Sequence, residues 1–169
     1  MAVVRGQTPG RSALRVSTPG FQPAPSAIHF RQNVPPSVRQ WKESLHNCGA
    51  LRVIARATQP ATKSLEIVVI EADGTPWGTV VPLTGEWREI DIPLNELRFF
   101  SHWSHPETRG GSGDYFHAEA VDAVNVCLGA WLYGLQASQP HGIELQTIAL
   151  LPEAHGQEHT ISHLDRSGE

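Results

Sequence analysis

The sequence predicts an all-β fold, and three observations carry that expectation. Gly (15) and Pro (13) together exceed the share usual for a helical protein. Apolar and polar residues alternate at a period of two in short runs along most of the 169-residue chain. Those runs recur about every 10–15 residues with Gly, Pro or Asp-Gly between them, the rhythm of a sandwich or barrel rather than of βαβ units.

Residues 12–17 (SALRVS) alternate and stop at Pro19-Gly20, and residues 27–32 (AIHFRQ) alternate again before Pro35-Pro36. Residues 36–46 are the one helix candidate, and it is short. In residues 49–57 (GALRVIARA), Leu51, Val53 and Ala55 share one face, with Arg52, Ile54 and Arg56 on the other. The β-branched run 64–72 (SLEIVVIEA) ends at Asp73-Gly74, a hairpin dipeptide, and residues 77–83 supply its partner. Thr84-Gly85 leads into residues 87–94 (WREIDIPL), where Ile90, Ile92 and Leu94 face the core and Trp87, Glu89 and Asp91 face away. Residues 124–132 and 143–151 give the last two strands. Alternation carried on to position 133 sets Val124, Val126, Leu128, Ala130 and Leu132 inward, and Asn125, Cys127, Gly129, Trp131 and Tyr133 outward.

Charge and composition exclude several classes of partner. Thirteen Lys and Arg against 17 Asp and Glu leave a net charge of -4, which argues against a nucleic-acid surface with its basic stripe. No apolar tract approaches the roughly 18 residues of a membrane span. Residues 1–6 lack the apolar segment of a secretory signal. Cys48 and Cys127 belong to no CxxC pair, and a bond between them would need neighbouring strands. One sandwich domain is expected over residues 1–152. A polar tail follows over 153–169 and carries His155, His159 and His163.

Residues 101–120 (SHWSHPETRGGSGDYFHAEA) form a loop of about 20 residues, long enough to suggest function. It holds Trp103, Arg109, Asp114 and Tyr115 beside His102, His105 and His117. Zinc ligands normally come as tighter pairs fixed on strands or helices, so no metal is expected. No GxSxG, HExxH, Walker or GxGxxG motif occurs, and no catalytic residue is nominated.

The stretch LEIVVIEADGTPWGTVVPLTGEWREIDIPLNELRFF contains Asp73-Gly74, Trp87, Ile92-Pro93-Leu94 and Leu97-Arg98. It resembles the middle of jelly-roll carbohydrate-binding modules and related galactose-binding-like domains attached to glycoside hydrolases. GRSALRVS is similar to their opening strand and IELQTIALL to their final one, so the resemblance spans residues 10–152. It implies a two-sheet antiparallel β-sandwich (jelly roll, galactose-binding-like) with a long loop and little helix. It also implies a non-catalytic domain that holds a polysaccharide or oligosaccharide through a concave sheet face and the 101–120 loop. The partner so implied is a larger catalytic domain or subunit, and the setting is extracellular or periplasmic. Many such modules hold a structural calcium between carboxylates of the first and last strands. Here Gln146-Thr147 stands where Asp-Asp is frequent, which disfavours calcium, and no cofactor is expected.

A sugar ring presents an apolar C–H face and a fringe of hydroxyls, which aromatic planes and fixed polar groups match respectively. The candidate platforms are Trp131, Tyr133, Trp103 and Tyr115. The candidate polar partners are Arg109, Asp114, Arg52, Arg56 and Asn125, all on one concave face if the outward faces belong to a single sheet. Trp41, Trp77 and Trp87 read as packing or turn residues. Two other functions fit the same residues: an accessory domain that docks its aromatics on a larger enzyme without binding sugar, and a small glycan lyase or hydrolase.

Overall fold

The computed structural model describes residues 1–22, 26–39, 42–101 and 109–153. Its strands are β1 (Ala2–Arg5), β2 (Ser12–Thr18), β3 (Ala27–Asn33), β4 (Cys48–Ala57), β5 (Ser64–Glu71), β6 (Pro76–Pro82), β7 (Arg88–Pro93), β8 (Arg98–Phe99), β9 (Val121–Gly129) and β10 (His141–Pro152). They form two antiparallel five-stranded sheets. Sheet A has the order β1-β2-β10-β4-β7 and sheet B the order β3-β9-β5-β6-β8. The sandwich predicted from the strand rhythm is therefore present.

The period-two pattern decides which side chains fill the space between the sheets. Val16, Leu51, Val53, Ala55 and Ile143 come inward from sheet A, while Leu65, Ile67, Val69, Val126 and Leu128 come inward from sheet B, all buried. Each fully buried side chain of this size contributes about 1.5–3 kcal/mol. The Asp73-Gly74 hairpin forms as predicted, with Gly74 at φ +90° and the Asp73 carboxylate accepting the Thr75 amide at 2.9 Å.

The helix expected over residues 36–46 is helical in each of its described parts, α1 (Pro36–Arg39) and α2 (Lys42–His46), but other elements depart from the pattern. Strands β1 and β8 carry too few residues to show a period, and only their ladders to β2 and β6 define them. The strand expected over 124–132 starts earlier and stops at Gly129, where its neighbour β3 runs out at Ala27. With no ladder left to join, the chain makes one helical turn, α3 (Ala130–Tyr133). Successive residues of a helix no longer alternate between two faces, so Trp131 and Tyr133 part company. Trp131 stays outside. Tyr133 turns into the core, and its hydroxyl donates to the Ser64 carbonyl at 2.9 Å.

Cys48 lies on sheet A and Cys127 on sheet B, and both thiols are free. The ladder between β10 and β4 shifts register between Leu145 and Thr147, leaving Gln146 as the extra residue. Its carboxamide accepts the Thr8 amide at 3.0 Å and donates to the Thr8 hydroxyl at 3.0 Å, tying the β1–β2 turn to the last strand. Among the described residues no group of three His, Cys, Asp or Glu side chains is placed to hold a metal ion. Trp41, Trp103, His102, His105 and the tail histidines lie outside the described residues.

Candidate functional site

The outward residues expected to share one face are divided between the two sheets. Arg52 and Arg56 project from β4 of sheet A, whereas Asn125 and Trp131 belong to β9 and its extension in sheet B. A sandwich about 10 Å thick separates the two groups. The single face bearing all of them is thus corrected to two faces pointing opposite ways.

On the outer face of sheet B the register sets Cys127 between His29 and Glu66, and Asn125 between Arg31 and Val68. The middle of this face is buried: Glu66, Val68, Ala123, Asn125 and Cys127 all lie beneath other groups. Two aromatic side chains rest on it, each made room for by a glycine. A Cβ on Gly129 would fall 2.5 Å from the Trp131 ring, and one on Gly78 would fall 2.7 Å from the Phe100 ring. Trp131 donates its indole N–H to the buried Glu66 carboxylate at 3.3 Å yet remains 50% exposed. One edge of the indole is therefore fixed while half of the side chain remains exposed. Asn125 Oδ1 is buried without a hydrogen-bond partner among the described residues, an acceptor whose desolvation costs about 1–3 kcal/mol unless something donates to it.

The described part of the 101–120 loop is pinned to the β5–β6 hairpin by one guanidinium. Arg109 meets Asp114 at 2.9 Å, Asp73 at 2.6 Å and the buried Glu71 at 2.8 Å. Hydrogen bonds from Arg109 and from the Gly110 amide hold the Asp114 carboxyl at about 2. Glu71 also accepts the His117 amide at 2.6 Å. Tyr115 meets His117 in a tilted ring contact with centroids 4.5 Å apart and keeps 64% of its surface exposed. Arg109 thus bridges Asp114 and the Asp73 of the β5–β6 hairpin, while Asp114 accepts from Arg109 and from the Gly110 and Tyr115 amides. Their visible work is to hold the loop that presents Tyr115.

On sheet A, Arg52 forms a two-pronged pair with Asp91 at 2.7 Å and 2.7 Å and a further pair with Glu89 at 2.7 Å. Glu144 is buried between Arg15 and Arg56, with Arg56 at 2.7 Å. Burial would push the Glu144 carboxyl up, but the Arg56 and Arg15 guanidiniums together hold it below its usual range. Trp87, read as a packing or turn residue, lies half-buried on this outer face with Arg56 over its ring at 5.1 Å. The reason is the same alternation that turns Glu89 and Asp91 outward. Trp77 is buried, as expected.

Sequence reasoning missed Glu66, Glu144, Phe100 and the two glycines under the aromatics. Glu66 left a signal, since it is a carboxylate in the middle of an otherwise apolar strand run (SLEIVVIE). Tyr133 is the opposite case, an aromatic predicted outward that the turn after Gly129 carries into the core.

No protein-family model matches the sequence, and no curated protein matches it. Solved structures do. A family 11 carbohydrate-binding module of the cellulosomal cellulase Lic26A-Cel5E of Clostridium thermocellum is similar over 91% of this chain and 82% of its own, at 15% identity and a TM-score of 0.64. The Clostridium thermocellum family 11 module in complex with a β-1,3-1,4-mixed-linked tetrasaccharide aligns over 89% and 81%, at 13% identity and a TM-score of 0.62. A family 30 carbohydrate-binding module aligns over 90% and 83%, at 14% identity and a TM-score of 0.56. The fold of this chain is that of the carbohydrate-binding-module sandwich.

Proposed function

We propose that this chain is a non-catalytic carbohydrate-binding domain that holds a polysaccharide or oligosaccharide on the outer face of sheet B, beside the 101–120 loop. The observation that carries this reading is Trp131, an indole locked at one edge by Glu66 and half exposed on a sheet face. A rigid aromatic loses little rotamer entropy when a sugar ring stacks on it. The exposed Tyr115 offers a second ring in the described part of the 101–120 loop. The likeness to carbohydrate-binding modules supports this assignment, and one of those solved structures contains a bound tetrasaccharide. The domain would then serve as an accessory to a glycan-degrading enzyme, extracellular or periplasmic, keeping substrate close to a separate catalytic domain.

Affinity gel electrophoresis against a panel of neutral plant and algal glycans, mixed-linkage β-glucan first, tests this reading. Retarded migration is expected, and Trp131→Ala should abolish it while circular dichroism stays unchanged. Trp103→Ala is a second variant for the loop. Free migration on every glycan of the panel would overturn the assignment.

A further inference from the structure

The opposite face of the molecule carries a cavity. It is open, has a volume of about 710 Å³, and lies on sheet A over Arg15, Arg56 and Glu144, with Lys63 and Thr84 in its lining. That volume is within the roughly 300–1,000 Å³ range of small-molecule sites.

Its charge differs from that of the neighbouring ion cluster on the same sheet. Arg52 faces two carboxylates, Asp91 and Glu89, and both ends of its guanidinium are engaged. The cavity instead gathers three cations, Arg15, Arg56 and Lys63, against the single carboxylate of Glu144, an excess of two positive charges. Glu144 is 1% exposed, and each of its oxygens is taken by one guanidinium. Its charge is spent on fixing the two forks in place. Arg56 uses Nε for Glu144, its guanidinium carbon lies 5.1 Å from the centroid of the Trp87 ring, and among the described residues its terminal nitrogens are left for a ligand. The two terminal nitrogens of a guanidinium match an oxyanion in two-pronged fashion. The hydroxyls in the lining suit a sugar ring rather than a bare ion.

We infer that this cavity is a second saccharide site, specific for a sugar residue that carries an anionic substituent, a uronate carboxylate or a sulfate ester. It lies on the sheet opposite Trp131 and stands or falls independently of the first site.

The test is affinity electrophoresis and calorimetry of the whole chain on polygalacturonate (carboxylate), carrageenan (sulfate), neutral mixed-linkage β-glucan and duplex DNA. Binding to at least one acidic polysaccharide is expected, weakening as salt rises, and the polymer retained identifies the anion. Arg56→Gln should weaken that binding about tenfold by removing a charged fork. Lys63→Glu should weaken it about threefold through charge alone; Lys63 is exposed, so this variant keeps the fold even if Arg56→Gln disturbs it. Trp131→Ala should leave acidic-glycan binding unchanged. No binding to either acidic polymer, wild-type binding by both cavity variants, or equal and equally sensitive binding of DNA would each overturn the inference.

Discussion

The rings of Tyr133 and His141 stack with centroids 3.8 Å apart and planes inclined by 15°, inside the core and beside Phe21. This pair shows that Tyr133 supports the structure of the sandwich from the turn after Gly129. Tyr133→Phe should lower stability by about 1 kcal/mol, the value of its bond to the Ser64 carbonyl. Tyr133→Ala should cost about 3–5 kcal/mol through the cavity it leaves. Urea unfolding measures both, and Tyr133→Phe should retain glycan binding in full.

Gly129→Ala tests the seat of Trp131 without touching the indole. The added methyl must displace a ring 2.5 Å away, a strain of about 1–3 kcal/mol. Expected results are a blue or red shift of tryptophan fluorescence and loss of retention on neutral glycans. A variant with unchanged fluorescence and full retention would contradict the seating.

Acid should destabilise the protein partly through Glu144. Its carboxyl titrates below its ordinary value of 4.5 in the folded state because Arg56 and Arg15 hold it ionised against burial. The unfolded chain therefore binds the proton first. The stabilisation is present above about pH 4.5 and is lost as pH falls through the folded-state value. Thermal melts from pH 7 to pH 3 should drop less steeply for Glu144→Gln than for the wild type.

The loop anchor has its own acid limit. Asp114 titrates at about 2 in the folded state against an ordinary 3.8, so its contribution persists above pH 3.8 and fades towards pH 2. Arg109→Met leaves Glu71 buried beside two other carboxylates, and about 3 kcal/mol should be lost. Limited proteolysis should cut the 101–120 segment of this variant faster than that of the wild type.

Thiol chemistry distinguishes the two cysteines. Burial, with the negative charge of Glu66 nearby, pushes Cys127 up to about 12. Cys48 is also raised by burial but is only half covered. A thiol reagent at pH 8 should modify one equivalent in the native protein, at Cys48, and two in guanidinium.

The faces of β4 were fully legible in the sequence. Its inward Leu51, Val53 and Ala55 and outward Arg52 and Arg56 follow from alternation alone. The end of β9 was not, because the strand stops where β3 stops, and a partner's length is absent from local pattern. For the same reason, no run of residues reveals that Arg56 and Trp131 lie on opposite sheets; only the strand order does. Of the candidate site, Trp131 and Tyr115 were visible as exposed aromatics. The glycines beneath Trp131 and Phe100 gain their meaning only from rings that reach them through the fold.

Strand β10 is the last strand of the described chain, yet it sits in the middle of sheet A, between β2 and β4. Thr8 meets Gln146, and Arg15 meets Glu144, across more than a hundred residues of intervening sequence. During synthesis, β2 and β4 therefore emerge with a gap between them that nothing yet made can fill. Sheet B can assemble first, but sheet A closes only once residues 141–152 are released, which makes folding slow and late. A chain interrupted before that point would display two unpaired strand edges, and its rescue would depend on whatever guards nascent chains.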